Sequence, residues 1–252
     1  LFAVSGIATV LILPKEPSSA EQPNQLFDRS QVLDQLRPPA HAPEFSRVFA
    51  ARTCMMAGVG LTGVFLWYLV RFWVYGKAVV LTSAPLTIPA GFLIAGMAVA
   101  TLIGAALASW AAGPISERIE EKNIPVARVV AGACLLYAAG LALAWGLGVW
   151  STGTARENGM LLFALISGFA FGVYDSLGLE LVMDSLPDPR RAGHDLGIYA
   201  LANSAGLALA AIIGALLVNA FEHSFGYYLL FPSAIVMVLL AGIVTLTTKS
   251  AE

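Results

Sequence analysis

Six long apolar runs, separated by short polar stretches, dominate the chain: Val48–Val70, Pro89–Ala112, Ala127–Val149, Met160–Met183, Leu196–Val218 and Tyr227–Leu246. A hydrocarbon core about 30 Å thick needs roughly 20 apolar residues in one helix, which each run supplies. Membrane-spanning strands are shorter, about 10 residues, and alternate apolar with polar positions. These runs are rich in Ala, Leu and Gly and do not alternate. The pattern therefore predicts an all-α membrane protein with six transmembrane helices, readable as two three-helix repeats of the kind transporters use.

Two segments precede that bundle. Residues 1–13, LFAVSGIATVLIL, are apolar but too short to span, and lack the basic n-region and small-residue cleavage site of a signal peptide. They read as the end of a truncated transmembrane helix. Residues 14–47 are polar and Pro-rich, so a linker is expected there, with the six-helix bundle occupying 48–252.

Composition agrees with the pattern: 58% of residues are hydrophobic, only 12% are charged, and the mean hydropathy is +0.78. Soluble domains carry about a quarter charged residues. Lys and Arg concentrate on the cytoplasmic side of membrane proteins. Alternating spans place Lys15, Arg29, Arg37, Arg47, Arg118, Lys122, Arg128, Arg190, Arg191 and Lys249 on one side, against Arg71, Lys77 and Arg156 on the other. Linker and C-terminus are thus expected in the cytoplasm, and the protein in the plasma (inner) membrane. Trp67, Trp73, Trp145, Trp150, Tyr227 and Tyr228 gather toward the opposite ends of the spans, as an interfacial belt does. The net charge of −2 names no partner. Lipid is expected around the bundle and nucleic acid is not. Cys54 and Cys134 lie inside spans without metal spacing, and His41, His194 and His223 are scattered, so neither a metal nor a cofactor is expected.

Small residues recur at every fourth position in three spans: Gly96 to Ala112, Ala202 to Gly214, and Ala164, Gly168, Gly172 and Ser176. Such rows let helices pack closely in lipid. The third row continues through Glu180 and Asp184, which predicts that both acids face protein. By depth, Asp175 falls inside the hydrocarbon core and Asp184 at its surface. An acid at depth costs about 2.5–3.5 kcal/mol on insertion scales and marks a cavity, an ion pair or a proton relay. Arg52 is the other charge within a span, expected either to reach the cytoplasmic surface or to pair with Glu180.

The stretch GPISERIEEK after the second span carries Gly113, Glu117, Arg118 and Lys122. In these positions the chain resembles the major facilitator superfamily, whose loops at this place read Gly-x-x-x-Asp-Arg-x-Gly-Arg-Arg. LPDPRRAGHDLGIYALANSAG, from Leu186, and APEFSRVFAARTCMMAG, from Ala42, resemble the stretch joining the tenth and eleventh helices and the start of the seventh in a bacterial, sugar-transporter-like branch of it. Gly178, Ala200, Gly206 and Leu207 depart from that branch, where an acid, an Asn and a Pro-Gln pair stand. The resemblance implies the C-terminal six-helix half of a twelve-helix carrier, with an N-terminal half as partner and Gly113, Glu117, Arg118 and Lys122 as a gating-loop motif. It also implies that the first and fourth spans line the central cavity. Candidate solute or coupling residues are then Asp175, Tyr174, Glu180, Arg52, Thr62, Tyr68 and Asn203.

The function expected is a secondary carrier moving a small solute by alternating access. The resemblance points to sugars, and the deep acid leaves proton coupling (symport) open. Two other classes compete. A non-transporting receptor or scaffold of the same fold has the same sequence pattern. A membrane-embedded aspartyl enzyme would need a second Asp inside another span, and no other span contains one. No catalytic residue is therefore assigned and an enzyme is not expected.

Overall fold

In the computed structural model, residues 43–75, 87–151, 153–186, 192–221 and 223–248 are described, and among them there is helix but no strand. The elements are α1 (Pro43–Gly63), the short α2 (Leu66–Tyr68), a π-helical turn (Leu69–Val74), α3 (Thr87–Glu121), α4 (Val126–Trp150), α5 (Thr154–Asp184), α6 (Ala192–Ala220) and α7 (His223–Leu246). The predicted helix end and most of the predicted linker lie outside the described residues. Among the described residues five helices are long and apolar enough to cross a membrane: Pro89–Ile119, Val126–Trp150, Thr154–Asp184, Asp195–Ala220 and Gly226–Leu246. The chain is accordingly a multi-pass helical membrane protein.

The first run differs most from its sequence pattern. α1 starts at Pro43, inside the predicted linker, carries Glu44, Arg47 and Arg52, and stops at Gly63 instead of continuing to Val70. Gly58, Gly60 and Gly63 fall within its last six residues, and each Gly costs a helix interior about 1 kcal/mol relative to Ala. After the break at Val64 and Phe65 the chain resumes as α2 and the π turn, closed by the Tyr75 N–H donating to the Val70 carbonyl at 3.3 Å.

Helix α3 also outlasts its apolar run. It continues through Pro114 to Glu121, so Gly113, Glu117 and Arg118 lie on a helix and only Lys122 lies in a turn. This corrects the reading of that motif as a loop. The backbone hydrogen bonds of a helix continue in water past the point where lipid-facing side chains give way to polar ones. The helix ends where Asn123 takes the left-handed conformation (φ 49°), with Ile124 N–H donating to the Ile119 carbonyl at 3.0 Å.

Packing is not sequential. α1 packs against α6 and α7, α5 packs against α3 and α4, and α4 also packs against α7, whereas α1 and α5 touch along little of their length. Both main crossings are close. A Cβ placed on Gly104 or Gly168 would strike the backbone of the facing helix, at Leu165 and Thr101 respectively. On the other side, a Cβ on Gly206 would meet the Met56 Cβ at 2.5 Å and the Thr53 oxygen at 2.7 Å. Small residues therefore bring backbones together here as the spacing predicts.

At one end of the bundle, the Arg156 guanidinium ties three segments by donating to the Trp73 carbonyl at 3.0 Å and the Ser151 carbonyl at 2.7 Å. Trp73 itself is buried beside Gly148, with its ring 4.1 Å from Tyr228 and 5.5 Å from Phe231. Tyr227 is buried too. Two members of the expected aromatic belt, Trp73 and Tyr227, thus belong to the core, while Trp67, Trp145, Trp150 and Tyr228 remain exposed. At the other end, Arg47 pairs with Glu44 at 2.6 Å and donates to the Thr247 carbonyl at 3.1 Å, covering the C-terminus of α7.

Candidate functional site

Arg52 lies in the middle of α1 and is only 8% exposed. A guanidinium withdrawn from water must have its donors used. Its Nε donates to Asn203 Oδ1 on α6 at 2.7 Å, and its Nη1 lies 2.7 Å from Asp175 Oδ1 on α5. Aromatic rings cover the rest. The guanidinium carbon lies 5.7 Å from the Phe171 centroid, 5.6 Å from Tyr174 and 5.7 Å from Tyr199, within cation–π range. Phe171 and Tyr174 are themselves stacked at 6.3 Å. Arg52 thus joins three helices, across a seam where α1 and α5 otherwise touch little.

The pair is asymmetric. Arg52 is buried, but the Asp175 side chain is 54% exposed and borders a cavity of about 390 Å³ between α3 and α5. Thr101, Ser109, Ser167 and Ser176 give the cavity its other polar groups, with the Phe171 ring beside them. Tyr137 of α4 and Val59 of α1 complete it, and the glycine row of α5 provides the space through Gly168 and Gly172.

Four candidate residues therefore meet: Arg52, Asp175, Tyr174 and Asn203. The others do not. Thr62 is buried, donates to the Val59 carbonyl at 3.1 Å and sits beside Tyr137. Tyr68 is exposed and stacks on Tyr227 at 6.2 Å, near the end of the bundle. Glu180 is exposed, and the expected Arg52–Glu180 pair gives way to Arg52–Asp175.

The row Ala164, Gly168, Gly172, Ser176, Glu180, Asp184 explains why. Its first two members are buried, Gly172 is half-buried, and the last three are exposed. Each four-residue step turns about 40° around the helix axis, so four steps bring Glu180 almost to the opposite face. The two acids at the end of the row do not face protein here.

Phe171 and Tyr199 were not among the candidates. Each stands four residues before a candidate on the same helix, Phe171 before Asp175 and Tyr199 before Asn203, and neighbours at that spacing share a face. That spacing is the signal by which they can be found. Among the described residues no group of three or more His, Cys, Asp or Glu is placed to hold a metal ion.

A family model described as Major Facilitator Superfamily matches residues 102–252. No curated protein and no solved structure matches the chain.

Proposed function

Because the chain belongs to the major facilitator superfamily, a family of membrane transporters, we propose that it forms one six-helix half of a secondary carrier that moves a small solute by alternating access. The observation carrying this reading is the Arg52–Asp175 pair: a charged contact across a thinly packed seam, with a polar cavity on its accessible side. Intramembrane charges of this kind line solute or ion pathways. In this reading Arg52, Asn203, Tyr174 and Asp175 are the working residues. Asp175 is the group to take up a proton in symport, because protonation removes the charge opposite Arg52 and leaves Arg52 only a hydrogen bond to a neutral carboxyl. Sugars remain the solute class suggested by resemblance.

The three-plus-three layout has its own support in the close approaches. Gly206 faces Thr53, Met56 and Ala57, and Gly104 faces Leu165, Gly168 and Phe169. Shifting the α1 numbers by 112 and the α6 numbers back by 102 turns the first set into the second. The same shifts carry Gly60 with Ala210 and Leu207 onto Gly172 with Ala108 and Ala105. Such register follows from two copies of one three-helix unit, with α1 and its continuation through the π turn as the sixth span and α1 equivalent to α5. Under the positive-inside rule the end carrying Arg118, Lys122 and Arg128 is cytoplasmic, and the helix-end motif Gly113, Glu117, Arg118 and Lys122 faces the partner half there.

Ser176 lines the cavity, so its accessibility tests the mechanism. With Cys54 and Cys134 removed and the preceding six-helix half present, Ser176→Cys is expected to react with an impermeant thiol reagent in both right-side-out and inside-out vesicles. Reaction from one face under all conditions supports the receptor or scaffold alternative instead.

A further inference from the structure

Resting on the reading of this cavity as a solute site, we propose that it receives its solute through an ammonium or similar hydrogen-bond-donating cationic head, and not through an anionic one. Two independent features of the lining carry this.

The first is which member of the ion pair a solute meets. Arg52 is enclosed by Asn203, Asp175 and three rings, and is 8% exposed. Asp175 is 54% exposed and borders the cavity, with only Oδ1 engaged by Arg52. A solute entering the cavity therefore meets the carboxylate and not the guanidinium.

The second is where the hydroxyl protons go. A hydroxyl has one proton to donate and two lone pairs to offer. Thr101 spends its proton on the Met97 carbonyl at 2.9 Å, Ser167 on the Ala164 carbonyl at 3.1 Å and Ser176 on the Gly172 carbonyl at 2.8 Å. Carbonyl oxygens cannot donate, so these assignments do not depend on seeing the hydrogens. The Tyr137 hydroxyl is in contact with Thr62. Three of the five hydroxyls that line the cavity thus commit their protons to carbonyls, while Tyr137 and Ser109 do not. What most of these groups offer the cavity is lone pairs, next to a carboxylate and the ring of Phe171.

An anion there meets lone pairs with few donors, and desolvation is largely uncompensated. An ammonium head finds acceptors for its protons, a charge-assisted bond to Asp175 and an aromatic ring nearby. A neutral alcohol brings a donor, but neither the charge nor the ring contact.

Fluorine-labelled benzylammonium, benzyl alcohol and benzoate share one ring and nearly one size, and differ in this respect alone. Titrated by fluorine NMR against the chain in lipid nanodiscs, with empty nanodiscs subtracted, the ammonium is expected to bind about tenfold tighter than the alcohol, and benzoate more weakly still. Asp175→Asn is expected to shrink the ammonium preference to about threefold. Phe171→Leu keeps Asp175 and its partner, and is expected to weaken the ammonium severalfold and the alcohol distinctly less, so it carries the test if Asp175→Asn does not fold. Benzoate binding as tightly as the ammonium, alcohol and ammonium binding equally, or none of the three binding overturns the proposal. Binding in nanodiscs requires no transport, so each of these outcomes is separable from the vesicle accessibility result that decides alternating access.

Discussion

Where α3 crosses α5, Gly104 and Gly168 bring the two backbones together, and where α6 crosses α1, Gly206 holds the place of Gly104 but Met56 stands where Gly168 would. In the same register, Asn203 of α6 takes the place of Thr101 of α3. One crossing leaves a cavity lined by small hydroxyl residues. The other is filled by a side chain and supplies the amide that orients Arg52. Two helix crossings of like geometry thus divide the labour: one makes room, the other fixes a charge at the edge of that room. Close packing sets the scaffold, and the side chains at a few matched positions decide what each crossing does.

Five substitutions break or sharpen this contrast. The largest effect is expected for Gly168→Ala, whose Cβ would run into the Thr101 backbone, an obstacle with no rotamer to change. A loss of about 3 kcal/mol in denaturant unfolding is expected, against about 2 kcal/mol for Gly206→Ala, whose neighbours closer than 3.0 Å, the Met56 Cβ at 2.5 Å and the Thr53 oxygen at 2.7 Å, include one backbone atom instead of three. Equal losses would mean that the two crossings are energetically alike and that only their side chains differ.

Arg52→Met comes next. Removing one member of a fully buried pair costs about 3–5 kcal/mol. Asp175 is half-exposed and can turn to water, so about 1–3 kcal/mol is expected from the same unfolding measurement, the lost ring and Asn203 contacts included.

Asp175→Asn is expected to cost less than about 1 kcal/mol, because the amide oxygen still accepts from Arg52. In the whole carrier, gradient-driven uptake is nevertheless expected to fall at normal membrane expression. Uptake at the normal rate would remove Asp175 from the working residues, and poor expression would make it a structural partner only.

The smallest effect is a gain. Gly132→Ala on α4 places a Cβ where no heavy atom lies within 4 Å, so helix propensity alone acts and up to about 1 kcal/mol of added stability is expected. A loss there would show that glycine in this bundle matters beyond close approach.

Much of this architecture is legible in the sequence, because lipid imposes a simple rule: the backbone must satisfy itself, and apolar length marks the helix. What that rule does not mark is where helices end. α3 runs on to Glu121 in polar surroundings, and α1 stops at Gly63 within an apolar run, since hydropathy reports the solvent around side chains and not the hydrogen bonds of the backbone. The charged centre was half legible. Arg52 and Asp175 stand out by depth alone, yet their pairing depends on which helices touch, and α1 packs with α6 and α7 before any neighbour in sequence. Tyr199 and Phe171 are ordinary aromatics in an apolar chain, and acquire meaning only once Arg52 is placed between them.

That order of packing has a consequence for how the protein is made. α1 ends at Gly63 and its partner α6 starts only at Ala192. At about 5–20 residues per second, the ribosome takes roughly six to twenty-six seconds to reach it. Through most of that interval α1 waits in the bilayer with an arginine whose carboxylate partner comes late and whose amide partner comes last, and the long Arg52 side chain must reach for the headgroups to stay hydrated. The bundle is therefore closed by its last helices, and a ribosome stalled before α6 leaves behind a chain that lipid tolerates but that has no finished centre.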